Sequence, residues 1–390
     1  MTMKPTHYFT ALSIALFLLA ACSPASMVTP DVQASMNTPD VPATKAAAAA
    51  ATAAQAAQEL QLFPLAEPGA YPVGMRTYRL TDPNRDDRRV SISIWYPAVQ
   101  PSEATDNSYT VDADPDFSGA PYPLLLSSTK VASIFAPYLV SRGFTWASVN
   151  FIDAYEEMGD QMYNQPLDIL FALEQAASNP PGLEGMIDAE HAGAIGYSFD
   201  GYNTLAMSGA RIDPQFYLSL CENPDAKKAH SLSAFSCKPA RNWDAFSVDV
   251  GETITRSEDG LWQPMTDVRI RAVMPLACEG WWLFGEKGLA AVNRPVLMIV
   301  ASDDQLYAEN VQIFDHLGTP NKGLISFIGL SHMMVFNPQQ VARMAHFAAA
   351  FFGYHLQGKA ELAQYFSEDF VNRHTDIHWG AYRGVHVPTE

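Results

Sequence analysis

The stretch from residue 194 to residue 210, AIGYSFDGYNTLAMSGA, places a serine between an apolar run and a sequence typical of a helix. Ser198 stands where a strand would pass into that helix, and its surroundings almost match the nucleophile elbow Gly-x-Ser-x-Gly. Gly196 fits this pattern, whereas Asp200 occupies the position of the second glycine. The stretch therefore predicts either a nucleophilic serine or the remnant of one.

Segments on both sides of this stretch alternate between strand and helix patterns. RVSISIWYPA, residues 89–98, alternates apolar and polar positions, and YPLLLSS, residues 122–128, is a continuous apolar run typical of a strand buried on both faces. Four residues of the first segment should share one strand face: Val90, Ile92, Ile94 and Tyr96. The alternation predicts an α/β fold, with a mostly parallel central sheet and helices on both faces.

Two helices have clear predicted boundaries. ASIFAPYLVSRG, residues 132–143, is typical of a helix closed by Gly143. PLDILFALEQAAS, residues 166–178, places Pro166 in its first turn, and the pair of prolines at 180–181 should stop it.

The composition divides the chain into four parts, with an insertion in the third. Residues 211–268 interrupt the alternation directly after the nucleophile helix, and we expect them to form either a lid that shapes a pocket or a surface excursion. The predicted parts are a signal peptide at 1–21, an Ala/Pro-rich tether at 22–69, the α/β domain at 70–358 and a tail at 359–390.

The amino terminus has the pattern of an exported protein. Lys4 precedes the apolar run ALSIALFLLA, which is too short to span a bilayer, and the run leads into LAAC at 19–22. LAAC resembles the bacterial lipobox, which implies lipid attachment at Cys22 and a location in the cell envelope. With Ser23 next, the resemblance implies the outer membrane, facing the periplasm or the surface. The alternative is an ordinary secretory signal with a chance cysteine.

The charge of the chain limits its partners. The formal net charge is −18 and the isoelectric point is near 4.9. Nucleic acid and anionic lipid surfaces both repel a polyanion, so neither is expected as the main partner, and a small neutral substrate remains compatible.

The cysteines after residue 22 fit an oxidising compartment. Cys221 and Cys237 bracket a polar stretch and either form a disulfide or remain two buried thiols, whereas Cys278 would stay unpaired. Cysteines and histidines lack the spacing of a metal site, so we predict no metal.

Three chemically important residues follow three predicted strands. Ser198 comes after HAGAIGY, the acidic pair of ASDDQ comes after RPVLMIV, and His332 comes soon after GLISFIG. Open α/β sheets bind ligands at the carboxyl ends of their strands. A serine needs a histidine to take its proton, and the histidine needs a carboxylate to hold its tautomer. The order serine, acid, histidine is that of an α/β-hydrolase triad.

From about residue 72 to 370, the chain resembles bacterial α/β-hydrolases of the predicted dienelactone hydrolase family, which are similar to platelet-activating-factor acetylhydrolases. WYPA at 95–98 and GYSFDG at 196–201 carry this resemblance, together with QPLDILFALEQ at 165–175. It implies the α/β-hydrolase fold and an esterase, lipase-like or thioesterase activity on short or oxidised acyl groups. It implies no metal and no organic cofactor.

The acid of the triad has two candidates. Families of this fold usually show Gly-x-x-Asp, which ASDD matches at Asp304 with Ala301 in place of the glycine. Asp303 lies one residue before the position that this motif requires. Acetylhydrolase-type enzymes place the acid one strand earlier, before a tryptophan, which corresponds to Glu279 in CEGWW. We favour Asp304 because an acid at that strand end also fits the general pattern.

The oxyanion hole requires two backbone N–H groups. One is expected at Phe199, directly after the serine, and the other at Lys130 in SSTK, where relatives have Ser-His-Gly-x. Tyr197, Trp281 and Trp282 are candidate walls of the substrate pocket, although the two tryptophans could equally be core aromatics.

The sequence thus supports a serine hydrolase that cleaves carboxylic esters. Because Asp200 and the SSTK loop depart from the usual pattern, the alternative is a lipoprotein with a weakened site that binds a ligand or partner. Acyl transfer to an alcohol, or amide cleavage, is a third hypothesis.

Overall fold

One ten-stranded sheet organises the described part of the chain, which in this computed structural model comprises residues 62–100, 108–150, 158–223 and 237–384. The sheet order is β10-β9-β8-β7-β6-β4-β5-β2-β1-β3. Its strands are β1 (Val73–Asp82), β2 (Arg88–Pro97), β3 (Thr110–Val111), β4 (Tyr122–Ser128), β5 (Thr145–Val149), β6 (Ile187–Tyr197), β7 (Ile270–Leu276), β8 (Val296–Ala301), β9 (Lys322–Phe327) and β10 (Ile377–Trp379).

The centre of the sheet is parallel and both of its margins contain antiparallel pairs. Strands β4 to β9 all pair in parallel. Strand β2 runs antiparallel to β5 and to β1, and β10 runs antiparallel to β9. This architecture confirms the α/β class with a mostly parallel sheet that the alternation of strands and helices predicts.

Helices cover both faces of the sheet. They are α1 (Thr129–Leu139), α2 (Met158–Ala177), α3 (Asp200–Met207), α4 (Pro214–Glu222), α5 (Trp243–Val250), α6 (Glu252–Thr255), α7 (Trp281–Leu289), α8 (Tyr307–His316), α9 (Pro338–Gln357) and α10 (Glu368–Val371). Among the residues described, no helix combines the length and apolar character needed to cross a bilayer.

Alternation along the buried strands divides the apolar core into two clusters, one on each face. In β4, Leu124 and Leu126 belong to the cluster that contains Tyr202 of α3, whereas Leu125 belongs to the cluster that contains Phe347 of α9. The four residues that the sequence places on one face of β2 lie together in the first cluster: Val90, Ile92, Ile94 and Tyr96.

The two helices with predicted boundaries both start earlier than expected. Helix α1 begins at Thr129, and after a turn of 3-10 helix it is closed by Gly143, whose φ is +83°. Helix α2 begins at Met158, so the prediction that Pro166 lies in its first turn is wrong, and Pro166 is inside the helix. An internal proline costs a helix about 3 kcal/mol. Burial of apolar residues on either side of it, Met162 and Ile169, offsets that cost.

The packed part of the chain is wider than the interval 70–358. Phe63 is buried, and its ring stacks on His374 with centroids 4.4 Å apart. At the other end, Ile377 pairs with Phe327 as part of β10. Residues at the end of the predicted tether and in most of the predicted tail therefore belong to the packed unit, because aromatic and strand contacts join them to α9 and β9. The predicted signal peptide, Cys22 and the tether up to residue 61 lie outside the described residues.

The described parts of the insertion pack as an aromatic layer. Cys221 and Cys237 are joined by a disulfide. Trp243 stacks on Trp262 with ring centroids 5.7 Å apart, and Trp243 also contacts Tyr217. This layer joins the apolar cluster on the α3 side of the sheet.

Candidate active site

Ser198 occupies a sharp turn between β6 and α3. Its φ of +61° is in the left-handed region, which is uncommon for a residue with a side chain. The Ser198 N–H donates to the carbonyl of Leu276 at 2.9 Å, and the Ser198 carbonyl accepts from Gly201 at 2.8 Å and from Glu279 at 3.2 Å. These backbone bonds tie the turn to the end of β7 and hold the strained serine in place.

The turn requires glycine at two positions because other atoms approach the backbone closely. A Cβ on Gly196 would lie 2.4 Å from the carbonyl oxygen of Asp200, and a Cβ on Gly201 would lie 2.2 Å from the Cβ of Cys278. Neither distance is sterically allowed, so the second close approach of this elbow is made by Gly201 and not by the residue before it.

His332 contacts the serine although the strand before it, β9, lies three strands along the sheet from β6. It follows β9 and begins a short 3-10 helix, His332–Phe336. Its Nε2 lies 2.8 Å from the Oγ of Ser198, and its Nδ1 lies 2.7 Å from the Oδ2 of Asp304. The three side chains thus form a continuous hydrogen-bonded array.

Asp304 is held in a tight turn after β8. Its side chain is buried, and its Oδ1 accepts the N–H of Leu306 at 2.9 Å. With the carboxylate acting as acceptor, Nδ1 of the histidine carries the proton and Nε2 is left to accept from the serine hydroxyl.

The other two acids considered for this position have different surroundings. The Oδ1 of Asp303 accepts from the hydroxyl of Ser302 at 2.9 Å. Glu279 is buried beside the serine, and its backbone N–H donates to the Ser198 carbonyl. The direct contact between a carboxylate and the Nδ1 of His332 is made by Asp304.

Tyr197, predicted as a wall of the substrate pocket, contacts the histidine. Its ring stacks on the imidazole of His332, with centroids 5.1 Å apart, and its hydroxyl donates to the His332 carbonyl. The ammonium of Lys130 lies 5.4 Å from the centroid of the same ring. The sequence did not indicate the contact between Tyr197 and His332, because these residues are 135 positions apart.

Both predicted oxyanion donors lie at the amino-terminal ends of helices. Phe199 is the residue before α3, and Lys130 is the second residue of α1. N–H groups in these positions point outward along the helix axis, where the helix dipole favours negative charge.

The loop that carries Lys130 contains no glycine, and side chains hold it instead. The indole N–H of Trp146 donates to the Oγ of Ser127 at 2.8 Å. The hydroxyl of Thr129 contacts the Oδ1 of Asn150, at the end of β5. Asn150 was not among the predicted site residues. Its position directly after a strand could have indicated that it lies at the same edge of the sheet.

Trp281 and Trp282 lie at the start of α7 and are mostly buried. Trp281 contacts Phe216 and Trp282 contacts Tyr217, so both pack against the insertion. This position fits their interpretation as core aromatics that join α7 to the layer above it.

Two cavities beside the β1–β2 hairpin have volumes of about 670 and 510 Å³ and share Arg88 and Arg89. None of the three side chains of the array lines either cavity. We place the candidate site at the array, because a hydrogen-bonded serine, histidine and aspartate indicate a particular chemistry, whereas the size of a cavity does not. Among the residues described, no group of three or more acidic, histidine or cysteine side chains has an arrangement that could hold a metal ion.

Fold and site together define an α/β protein with a Ser-His-Asp array at the carboxyl edge of a parallel sheet. Comparison with models of known protein families finds no match, and comparison with curated proteins finds none either.

Proposed function

We propose that the protein is a serine hydrolase of the α/β-hydrolase fold that cleaves carboxylic esters through an acyl-enzyme. The observation that carries this proposal is the unbroken hydrogen-bonded sequence from Ser198 through His332 to Asp304. The strand–turn–helix setting of the serine and its positive φ support it, because they are the hallmarks of a nucleophile elbow.

The first half of the reaction forms the acyl-enzyme. The Oγ of Ser198 attacks the ester carbonyl carbon while the Nε2 of His332 takes the hydroxyl proton. Asp304 stabilises the resulting imidazolium. The backbone N–H groups of Phe199 and Lys130 donate to the former carbonyl oxygen and stabilise its negative charge. The intermediate then collapses, and the imidazolium gives its proton to the departing alcohol.

The second half of the reaction releases the acid. A water molecule gives a proton to the Nε2 of His332 and attacks the acyl carbon, again through an oxyanion held by the two amides. Collapse of this intermediate breaks the bond to Ser198, whose Oγ recovers the proton from His332. The enzyme returns to its starting protonation state.

The substrate class proposed is an ester of a short or oxidised acyl group, as the family resemblance implies. An apolar rim beside the base supports an acyl ester: Met333 and Phe336 are 58% and 65% exposed and belong to the same 3-10 helix as His332. Exposed apolar side chains at a site edge contribute contact area to an apolar substrate.

The chain's proposed location is the outer membrane of the bacterial envelope, through a lipid on Cys22. Mass spectrometry of the protein purified from membranes tests this anchor, with Cys22→Ala as the control. An unmodified Cys22, or cleavage elsewhere, contradicts it.

A chain-length series of p-nitrophenyl esters tests the activity on protein lacking residues 1–22. We expect turnover by the wild type and none above background for Ser198→Ala with an unchanged fold. A fluorophosphonate probe should label the wild type alone, since the probe requires an activated serine. Turnover by the alanine variant would refute the role of Ser198.

The binding-protein hypothesis rests on the two departures from the usual elbow, Asp200 and the SSTK loop. The same experiment separates it from the first proposal. A folded wild-type protein that is neither labelled nor active on any ester of the series would favour binding without turnover.

A further inference from the structure

Asp200 is the residue of the elbow that departs most from expectation, because it stands where the pattern has its second glycine. Because Gly201 makes the close approach to Cys278, a side chain is sterically allowed at position 200. Asp200 is only 1% exposed and is the first residue of α3. Its carboxylate therefore lies inside the protein, one residue beyond the expected oxyanion donor Phe199.

The carboxylate of Asp200 joins the nucleophile helix to the strand that leads into the other donor. Its Oδ2 accepts the backbone N–H of Ser128 at 3.1 Å. Its Oδ1 accepts the side-chain amide of Asn203 at 2.9 Å, and the same amide donates to the Oε1 of Gln165 at 3.0 Å. Ser128 ends β4 and directly precedes α1, whose second residue is Lys130.

A buried carboxyl group at this position needs an explanation beyond packing. Burial raises the pKa of Asp200, while hydrogen bonds from Asn203 and Ser128 and the charge of Lys130 act in the opposite direction. A buried acid is costly even when it is hydrogen-bonded, and a glycine would fill the same place in an ordinary elbow without that cost. Groups retained against such a cost are often found at functional sites.

The SSTK loop provides the reason. Oxyanion loops commonly use glycine to bring an amide into place, and this loop has none between Ser127 and Lys130. Its geometry is instead set from both sides: Thr129 contacts Asn150, which directly follows β5, and the N–H of Ser128 donates to Asp200 on α3. The contact between Ser128 and Asp200 fixes the position of the loop relative to the helix that follows the nucleophile.

We propose that Asp200 is a positioning residue that sets the distance between the two oxyanion donors, by holding the Ser128 amide from the nucleophile helix. This inference rests on the proposed serine hydrolase function. Asp200 does not touch the substrate. Its loss leaves the Ser-His-Asp array in place and moves the Lys130 amide away from the developing charge.

The conservative substitution Asp200→Asn should preserve the contact. Its side-chain oxygen still accepts from Ser128, and its amide then needs an acceptor where Asn203 now donates. The Oδ1 of Asn203 and the Nε2 of Gln165 are buried and have no hydrogen-bond partner within the described ranges, so both side-chain amides can rotate to supply an acceptor. Asp200→Ala and Asp200→Gly remove the acceptor.

The test compares these three variants with the wild type, with all rates normalised to the number of sites titrated by a fluorophosphonate. We expect kcat for a p-nitrophenyl ester to fall about 10- to 100-fold in Asp200→Ala and Asp200→Gly with KM little changed, because the transition state alone carries the oxyanion. Affinity for a trifluoromethyl ketone, which forms the same oxyanion on Ser198, should fall in parallel. Asp200→Asn should keep kcat within about threefold.

Each other outcome has a definite meaning. If the alanine and glycine variants turn over normally per titrated site, or bind the ketone as tightly as the wild type, the positioning role is overturned while the proposed function stands. The same holds if neither variant folds, because Asp200 would then act on stability alone. If the wild type is neither labelled nor active, the proposed function fails and this inference fails with it.

Discussion

The ring of Tyr197 stacks on the imidazole of His332, and the hydroxyl of the same tyrosine donates to the backbone carbonyl of that histidine. Tyr197, the residue before the proposed nucleophile, thus holds the proposed base by two contacts. A base that is held in one orientation loses less entropy when it takes the serine proton, so the contact should be visible in turnover.

Tyr197→Phe removes the hydrogen bond and keeps the stacked ring. Since one such bond is worth about 1 kcal/mol, we expect kcat to fall about fivefold with KM nearly unchanged. Steady-state kinetics on a p-nitrophenyl ester, normalised by active-site titration, measure the effect. Tyr354→Phe, at an exposed tyrosine of α9, serves as the matched control. An unchanged kcat in Tyr197→Phe would mean that stacking alone holds His332.

The identity of the triad acid can be decided by a pair of amide substitutions. Asp304→Asn should lower kcat about 10³- to 10⁴-fold, because an amide that donates to Nδ1 leaves the histidine in the wrong tautomer. Glu279→Gln should keep most of its turnover per titrated site, because the contact with His332 is made by Asp304. The reverse ranking of the two variants would assign the acid to Glu279.

The disulfide should contribute to stability through the chain that it closes. Cys221 and Cys237 are 16 positions apart, and a loop of this length predicts about 3 kcal/mol of unfolding free energy. Denaturant unfolding of Cys221→Ser/Cys237→Ser against the wild type measures it. A reductant should lower the stability of the wild type to that of the double variant and leave the variant itself unchanged. Equal stability of the wild type and the double variant in the absence of reductant would contradict the prediction.

His346 should make the fold sensitive to mild acid. Burial, with smaller effects from Arg142 and His374, lowers its pKa to about 3, and its Nδ1 accepts the N–H of Leu65 at 3.0 Å. In the unfolded chain the pKa of a histidine is about 6.5, so below that pH the unfolded state binds a proton that the folded state does not. The contribution of neutral His346 to the unfolding free energy is complete above about pH 6.5 and is lost as the pH falls toward 3.

The measurement is the unfolding free energy as a function of pH for the wild type and His346→Gln. Glutamine does not titrate, and its side-chain oxygen can accept from Leu65. The wild type should lose up to about 1.4 kcal/mol per pH unit more than the variant between pH 6 and 4. Parallel curves would show that His346 titrates equally in both states.

Much of the site was predictable because parallel strands bring their carboxyl ends to one edge of the sheet. The continuous apolar run of β4 and the alternation in β2 are local patterns that burial imposes on a sheet. Ser198 and His332 each follow a strand that the sequence predicts. Once these strands run parallel in one sheet, the residues that follow them lie along the same edge, and the loops after β6 and β9 bridge the width of β7 and β8 between them.

Other features were not predictable because they depend on partners that local patterns do not specify. Nothing in the segment around Phe63 indicates that it will stack on His374, and the three residues of β10 are too few for a strand signal. Pro166 misled the helix boundary because packing outweighed its local effect.

By itself, the sequence determined the alternation of strands and helices, the mostly parallel sheet and the chain order serine, acid, histidine. Only the tertiary structure decided that Asp304 contacts His332, that Gly201 makes the close approach and that Asp200 reaches Ser128. The physical reason is range. Periodicity and turn preferences act over a few residues, whereas these contacts join side chains whose separation is set by strand order and register across the whole sheet.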